Sequence, residues 1–333
     1  MAFYLGIDGG GTKTACAVGD DTSLLASAIG GPSNIVRVGD AVVRESLRQT
    51  VAQVCAAAGI TPQQIEYACM GAAGAGRFGT ADSIRNILAE IVEAEIQVVG
   101  DGPIALEAAF GSGPGVIVIA GTGSIAYGRD AQGNTARSGG WGFAVSDEGS
   151  AHWIGRSVIA ALLQAMDERG EAEGMDSGRG SAVWSAVRKA WGIGTLADLV
   201  RTANSSPPPD FAALFPAILA AVDDGDAVAL HVLTQAGKEL AGLAAIVIAR
   251  LYQKTETGPA HASDVESSVS RQIVRLAMAG GVFRHAARLR EFFYNEIRKL
   301  HPQVILNPQV VDPVHGALQL ARKSRAQAAK SRT

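Results

Sequence analysis

Phe3-Tyr4-Leu5-Gly6-Ile7-Asp8-Gly9-Gly10-Gly11-Thr12-Lys13-Thr14 is an apolar run that stops at an aspartate, crosses three glycines and restarts as a second apolar run through Val18. A third run follows at Leu24 to Ile29. Strand, glycine turn and strand predict an antiparallel meander. Glycines let the backbone turn tightly and approach a ligand closely. Their consecutive N–H groups form a concavity for anions. Thr12 adds a hydroxyl, Lys13 a charge, and Asp8 stands at the strand end, placed to hold a metal ion through water. The spacing is not G-x-x-x-x-G-K-[ST], and a strand rather than a helix comes next. A plain hairpin is the other reading, although three glycines exceed what a hairpin needs.

Outward from this turn, Val43, Leu47, Val51, Val54 and Ala58 recur at helical spacing and predict an amphipathic helix that stops near Gly59. Ile65 to Met70 and Ile96 to Val99 read as buried strands followed by helices. At Val116 the opening pattern restarts. Val116 to Ala120 is a strand, Gly121-Thr122-Gly123-Ser124 a turn, and Ile125 to Tyr127 another strand. Two domains of one core plan follow from this, and the 333 residues suit two cores. Two facing glycine loops can clamp a polyphosphate. Helices are expected at Ser150–Met166, Phe211–Val222, Ala227–Tyr252, Phe283–Leu300 and Pro313–Ala328. Strands are expected at Arg275–Ala279 and Val304–Leu306. The segments 168–180, 205–209 and 253–270 read as surface loops.

Three further places carry chemistry. Asp101 follows Val99-Gly100 at a strand end. It can accept a proton from a substrate hydroxyl, or it can cap the helix that starts near Pro103. Gly280-Gly281 follows a strand and would let a flat ring lie on backbone; a simple strand-to-helix turn is the other reading. Gly139-Gly140-Trp141-Gly142, Ser146-Asp147-Glu148-Gly149-Ser150 and Trp153 combine carboxylates, glycines and indoles. Carboxylates accept from sugar hydroxyls and aromatic faces stack on sugar C–H surfaces, while Asp147 and Glu148 can also cap the helix from Ser150.

Composition excludes several classes. The net charge of −3 provides no basic field for nucleic acid. The basic stretch 323–332 reads as a solvated terminal tail. Cys16, Cys55 and Cys69 form no C-x-x-C pair, so no disulfide framework or zinc site is expected and a reducing compartment is. Asp8 comes too early for a signal peptide. No run approaches ~18 apolar residues, so no membrane partner is expected and the location is cytoplasmic.

Taken together, Gly6 to Thr14 and Gly139 through Gly155 resemble the N-acetylglucosamine kinase branch of the BadF/BadG/BcrA/BcrD ATPase family, within the actin-like ATPase clan. The resemblance runs from Tyr4 to about Leu320. It implies an α/β fold of two ribonuclease-H-like domains, 1–115 and 116–312, with a cleft between them. A C-terminal helix and tail, 313–333, would pack back toward the first domain. It implies ATP with Mg²⁺ as cofactors and a small amino sugar as substrate, phosphorylated on its 6-hydroxyl. Gly10, Gly11, Thr12, Lys13 and Thr14 would form the first phosphate loop, and Gly121, Thr122 and Gly123 the second. Gly280 and Gly281 would lie near the adenosine, with Asp8 on the metal through water. Asp101 would be the catalytic base. Asn34, Ala73, Gly74, Asp101, Gly140 and Asp147 would surround the sugar. Dimers are common among relatives, which leaves a homodimer open. The repressor-and-kinase glucokinases carry a cysteine-rich zinc motif that is absent here. A different class of function is an ATP-driven switch of the dehydratase-activator type. Its iron–sulfur cluster lacks an obvious cysteine pair here, since all three cysteines precede Asp101.

Overall fold

The computed structural model describes residues 2–76, 79–169, 182–252 and 273–330. Ten strands form two five-stranded sheets of one plan. In the first, β1 (Phe3–Gly9), β2 (Thr14–Gly19) and β3 (Leu24–Gly30) make the meander expected from the glycine turn, and β4 (Ile65–Ala72) and β5 (Glu95–Val99) extend it in parallel beside β1. In the second, β6 (Gly115–Ala120), β7 (Ser124–Arg129) and β8 (Thr135–Gly139) repeat the meander, and β9 (Arg275–Ala279) and β10 (Ile305–Val311) lie parallel beside β6. This is the ribonuclease-H-like arrangement, present twice in an α/β chain.

Alternation along β1 sorts its two faces. Leu5 and Ile7 enter a core with α1 (Ile35–Ala57) and α2 (Thr80–Ala89). Tyr4, on the other face of the first sheet, packs with Val314, Ala317 and Leu318 of α11 (Pro313–Lys330). Asp8 falls on the Tyr4 face, at the C-terminal end of the strand. Two helices cover that face, α3 (Asp101–Phe110) and α11, and they cross closely: a Cβ on Gly316 would stand 1.9 Å from the carbonyl oxygen of Ile104. Glycine at 316 is what permits that approach.

α3 is shared between the two sheets. Ile104 belongs to the core under the first sheet, whereas Ala105 and Leu106 pack with Ile117, Ala277 and Ala279 of the second. Asp101, the first residue of this helix, therefore stands where the two halves meet.

The second half holds α4 (Ala151–Arg169), α5 (Ala182–Trp191), α6 (Leu196–Ala203), α7 (Phe215–Asp223), α8 (Ala227–Tyr252), α9 (Gly281–His285) and α10 (Ala287–Leu300). Several expectations need correction. α1 carries the expected stripe from Val43 but extends N-terminally to Ile35, bending at Gly39, whose φ of 77° breaks the helical path. Phe211–Leu214 is a 3-10 turn before α7. The helix expected at 283–300 is two helices, because Ala286 leaves helical geometry at φ −105°, ψ 85°. β8, α5 and α6 had no expected counterpart. β10 runs five residues past Leu306, to Val311, despite Pro308. It is an edge strand, and its register slips between Leu306 and Val310, which accommodates the missing N–H.

The basic end is no loose tail up to Lys330. α11 continues through it, with Lys323 on Glu107 at 2.5 Å, Arg322 on the carbonyls of Asp20 and Ser23, and Arg325 on Tyr4 and Asp21. Lys323 is the ion partner of Glu107, whose side chain is only 4% exposed. α8 is long and apolar enough, by length and composition, to cross a membrane. The apolar-run criterion passed over it because Lys238 and Glu239 interrupt the run; Ala229, Leu233, Leu240, Ala244 and Val247 of this helix line the second core. The loops read at 253–270 and over most of 168–180 lie outside the described residues. Cys16, Cys55 and Cys69 are free and buried, and burial raises each thiol above its usual range.

Candidate active site

Both glycine turns are held from behind by backbone hydrogen bonds. Gly10 N–H donates to Lys13 O at 3.0 Å, and Gly10 O accepts from Ser33 N–H and Asn34 N–H, both at 3.1 Å. In a trans peptide the N–H points opposite to the carbonyl. The N–H of Gly11 therefore faces away from residues 33–34. The second turn is held by a helix. Ala151 N–H and His152 N–H, in the first turn of α4, donate to Gly121 O at 2.9 Å and Thr122 O at 3.4 Å. The N–H groups of Thr122 and Gly123 consequently point away from α4, and the positive end of its dipole lies behind the loop.

The two turns meet at their tips. Thr12 Oγ1 and Thr122 Oγ1 are 3.3 Å apart. A Cβ on Gly11 would stand 3.4 Å from Thr122 Cβ, whereas one on Gly121 would meet no atom within 4 Å. The freedom at Gly121 is not required by the packing of the chain itself, and the space it leaves suits a bound anion. Gly280 joins the same place for a different reason: with φ 97°, its Cβ would stand 2.2 Å from Ala120 O, directly before Gly121. Gly281 opens α9 beside it. Thr14 is fully buried, and its hydroxyl lies 2.7 Å from both Gly31 O and Ser33 Oγ, so it braces the segment that carries Asn34. Lys13 is exposed.

The charges of Asp101 and Asp312 act on Asp8, and the charge of Asp101 acts on Asp147. The Asp8 carboxyl is pushed up to about 7, by burial first and then by the charges of Asp101 and Asp312, with Lys13 and Arg284 opposing. Asp101 is raised by burial, against backbone bonds from Gly102 N–H at 3.0 Å and from its own N–H. Asp147, 7% exposed, is also raised by burial, with smaller contributions from the charges of Glu148 and Asp101. It adopts φ 70° and accepts from Gly142 N–H at 3.3 Å. Asp147 thus lies within the field of Asp101, which belongs to the other half of the chain.

The helix-cap alternatives fare poorly. The cap position of α3 is Gly100, and α4 is capped by Ser150, whose Oγ accepts from Trp153 N–H at 3.1 Å. Glu148 is engaged by Ser146 Oγ at 2.9 Å instead. Asn34 sits at the cap position of α1 without making a side-chain cap bond, and its buried Oδ1 has no partner among the described residues. A buried acceptor in this state is suited to a ligand's hydroxyl or amide donor. Ala73 N–H donates to Gly9 O at 3.2 Å, which brings the 73–74 turn to the first glycine loop. Gly140, at φ 70°, passes close to Ile125. Trp153 packs against the second core, while Trp141 is 63% exposed with the Arg137 guanidinium 4.1 Å above its ring.

Three site residues escaped the sequence reading. Asp312 and Arg284 belong to the charge environment of Asp8, and Arg284 lies 3.8 Å from Asp312. Arg37 reaches the meeting point of the tips, a Cβ on Gly11 standing 3.4 Å from its Nη1. A signal existed for Asp312: it ends a strand and starts a helix, as Asp101 does. Among the described residues no three carboxylate, histidine or cysteine side chains form a direct cage for a metal. The acidic oxygens around Asp8 nevertheless suit a hard cation that keeps its waters and shares them with phosphates.

The raised Asp8 carboxyl has a consequence for stability. The folded chain holds a proton that the unfolded chain releases near the ordinary value of about 4. Stability therefore falls as pH rises through the window from about 4 to about 7. Asp8→Asn removes that penalty. In thermal melts without divalent cations or nucleotide, the variant is expected to melt above the wild type at pH 8, and the gap should shrink as pH falls toward 5. A gap independent of pH would contradict the assignment.

The chain is similar to known proteins in sequence and in fold. The sequence model of the BadF/BadG/BcrA/BcrD ATPase family matches residues 5–321. An N-acetylmuramic acid/N-acetylglucosamine kinase of Clostridium acetobutylicum is 30% identical over 97% of this chain and 99% of that protein. An N-acetyl-D-glucosamine kinase of Dictyostelium discoideum is 26% identical over 97% of this chain and 98% of that protein. In fold, the chain is similar to the crystal structure of a protein from Chromobacterium violaceum described as a putative N-acetylglucosamine kinase. The TM-score is 0.71 at 24% identity, covering 96% of this chain and 99% of that one.

Proposed function

The chain belongs to the BadF/BadG/BcrA/BcrD ATPase family, and from that premise we propose that it is an ATP-dependent amino-sugar kinase. It transfers the γ-phosphoryl group of ATP to the 6-hydroxyl of N-acetyl-D-glucosamine or a close relative, such as glucosamine or N-acetylmuramic acid. What supports this reading is that Asp147 lies against the second glycine turn, its Oδ2 2.8 Å from where a Cβ on Gly123 would stand, while Asp101 opens the helix that packs on both sheets.

Phosphoryl transfer needs alignment and charge neutralisation more than covalent help. Backbone N–H groups of Gly11, Thr122 and Gly123 receive the phosphates. Gly280 and Gly281, packed behind the second turn, border the adenosine. Asn34 and Asp147 hold sugar hydroxyls, with Ala73, Gly74 and Gly140 close by. Asp101 accepts the proton of the attacking hydroxyl, and its burial raises its basicity for that task. Asp8 would hold Mg²⁺ through water, and the ion would supply neutralisation of phosphate charge. The setting is the cytoplasm, where three buried thiols stay reduced.

The test is ADP release by the purified protein across N-acetylglucosamine, glucosamine, N-acetylmuramic acid and glucose. Phosphorus–proton correlation spectra then locate the new ester. Release that depends on an amino sugar, with phosphorus coupled to the C6 protons, is the expected result. Release indifferent to sugar would favour an ATPase switch instead.

A further inference from the structure

We infer that Arg37 is a ligand of the nucleotide's terminal phosphates, steadied by Asp210 from the opposite half of the molecule. This rests on the reading of the two glycine turns as the ATP phosphate site.

Arg37 lies in the first turn of α1, where its N–H donates to Asn34 O at 2.9 Å. One helical turn thus carries both the sugar-facing Asn34 and a cation. The guanidinium does not extend into solvent. Its Nη1 lies 3.4 Å from where a Cβ on Gly11 would stand, and Thr122 Cβ lies at the same distance from that point. Gly11, Thr122 and Arg37 therefore enclose one small volume at the tips of both turns. Nη2 is 2.9 Å from Asp210 Oδ1, with the two side chains 24% and 43% exposed. Asp210 precedes the 3-10 turn at Phe211, and its Oδ1 also accepts from Ala212 N–H at 3.1 Å, which fixes the carboxylate.

The pair joins parts of the chain that follow different sheets, so its geometry belongs to the assembled cleft. Guanidinium presents five N–H donors in a fixed fork. Asp210 occupies the Nη2 end. Among the described residues Nη1 and Nε make no hydrogen bond, and Nη1 is the end next to Gly11. An anion between the tips would take those donors without displacing Asp210. Positive charge gathers on this side: Arg156 and Arg37 both hold His152 below its usual range, after burial, with Asp210 the opposing charge. A bidentate guanidinium–phosphate contact is a strong, charge-assisted one.

The competing account is that Arg37 and Asp210 merely latch the two halves together. Calorimetry of ATP binding without sugar separates the two. Arg37→Leu is expected to weaken ATP about tenfold or more, the loss of one charge-assisted hydrogen bond. Arg37→Lys should recover part of it, since charge returns without the fork. Asp210→Asn should change ATP affinity by less than about fivefold, the scale of an exposed ion pair. Melting temperatures check that all three variants fold. Unchanged ATP affinity in Arg37→Leu, or an equal loss in Asp210→Asn, would overturn the assignment. The readout needs no sugar. Wild-type protein that binds ATP but phosphorylates no amino sugar would therefore sink the kinase reading and leave Arg37 standing, whereas failure of the wild type to bind ATP would sink both.

Discussion

Asp101→Asn is expected to lower kcat by roughly 10²–10⁴-fold, the usual loss when a general base is removed, with the sugar KM little changed. The fold should tolerate the substitution. The Asp101 carboxylate accepts from backbone N–H groups, Gly102 N–H at 3.0 Å and its own, and an asparagine oxygen can accept from the same donors. What asparagine cannot do is take the proton of the attacking hydroxyl. The cap position of α3 belongs to Gly100, so no helix cap is lost. The pH profile adds an independent readout. A base must be ionised to act, and burial raises this carboxyl above its ordinary value of about 3.9. The acid limb of kcat in the wild type should accordingly lie above that value and disappear in the variant. Steady-state kinetics from pH 4.5 to 8, with melting temperatures alongside, decide the matter. Near-normal kcat would leave Asp101 with a structural role only.

The second large effect is expected at Asp147, in substrate affinity. Its φ of 70° is a conformation that asparagine adopts more readily than most residues, so Asp147→Asn is a gentler probe than alanine. The amide oxygen can keep the bond from Gly142 N–H. The variant loses a charged acceptor that is buried against the second glycine turn: a Cβ on Gly123 would stand 2.8 Å from Asp147 Oδ2. A site built to bind a hydroxyl discriminates strongly when its partner is altered. The sugar KM should rise about tenfold to a hundredfold, the scale of a hydrogen bond to a charged group, or turnover should vanish. ATP affinity without sugar should survive, since the backbone donors of the turn remain. An unchanged sugar KM and kcat would remove Asp147 from the sugar site.

The two probes report on different links. Asp101 acts on the transferred proton, and its loss appears in kcat. Asp147 acts on the bound sugar, and its loss appears in KM. A variant pair that moved both parameters alike would point to a general loosening where the two halves meet, with α3 the natural suspect because it packs on both sheets.

Much of the fold was legible because its signals are local. The apolar run to Ile7, the break at Asp8 and the restart at Thr14 are sufficient for a hairpin, and the same syntax at Val116 announces a second sheet. β8 escaped because Thr135-Ala136-Arg137-Ser138-Gly139 is a short edge strand with little apolar content. α5 and α6 escaped beside a polar, glycine-rich stretch. The basic end was misread because Lys323, Arg322 and Arg325 resemble a solvated tail until their partners Glu107, Asp20, Ser23 and Asp21 are known.

By itself, the sequence determined which residues could carry the chemistry: aspartates at strand ends and glycines at turns, with Asn34 added only through the family resemblance. Hydrophobic period and backbone permissiveness act over a few residues, and so they can be read in one dimension. Only the tertiary structure decided which of these groups face one another. Asp8 meets Asp312, from near the far end of the chain, because β1 and α11 pack face to face. Arg37 meets Asp210 because the two halves close on each other. A charge pair across a cleft leaves no periodic trace in either segment, since each side chain is an ordinary polar residue until the other arrives.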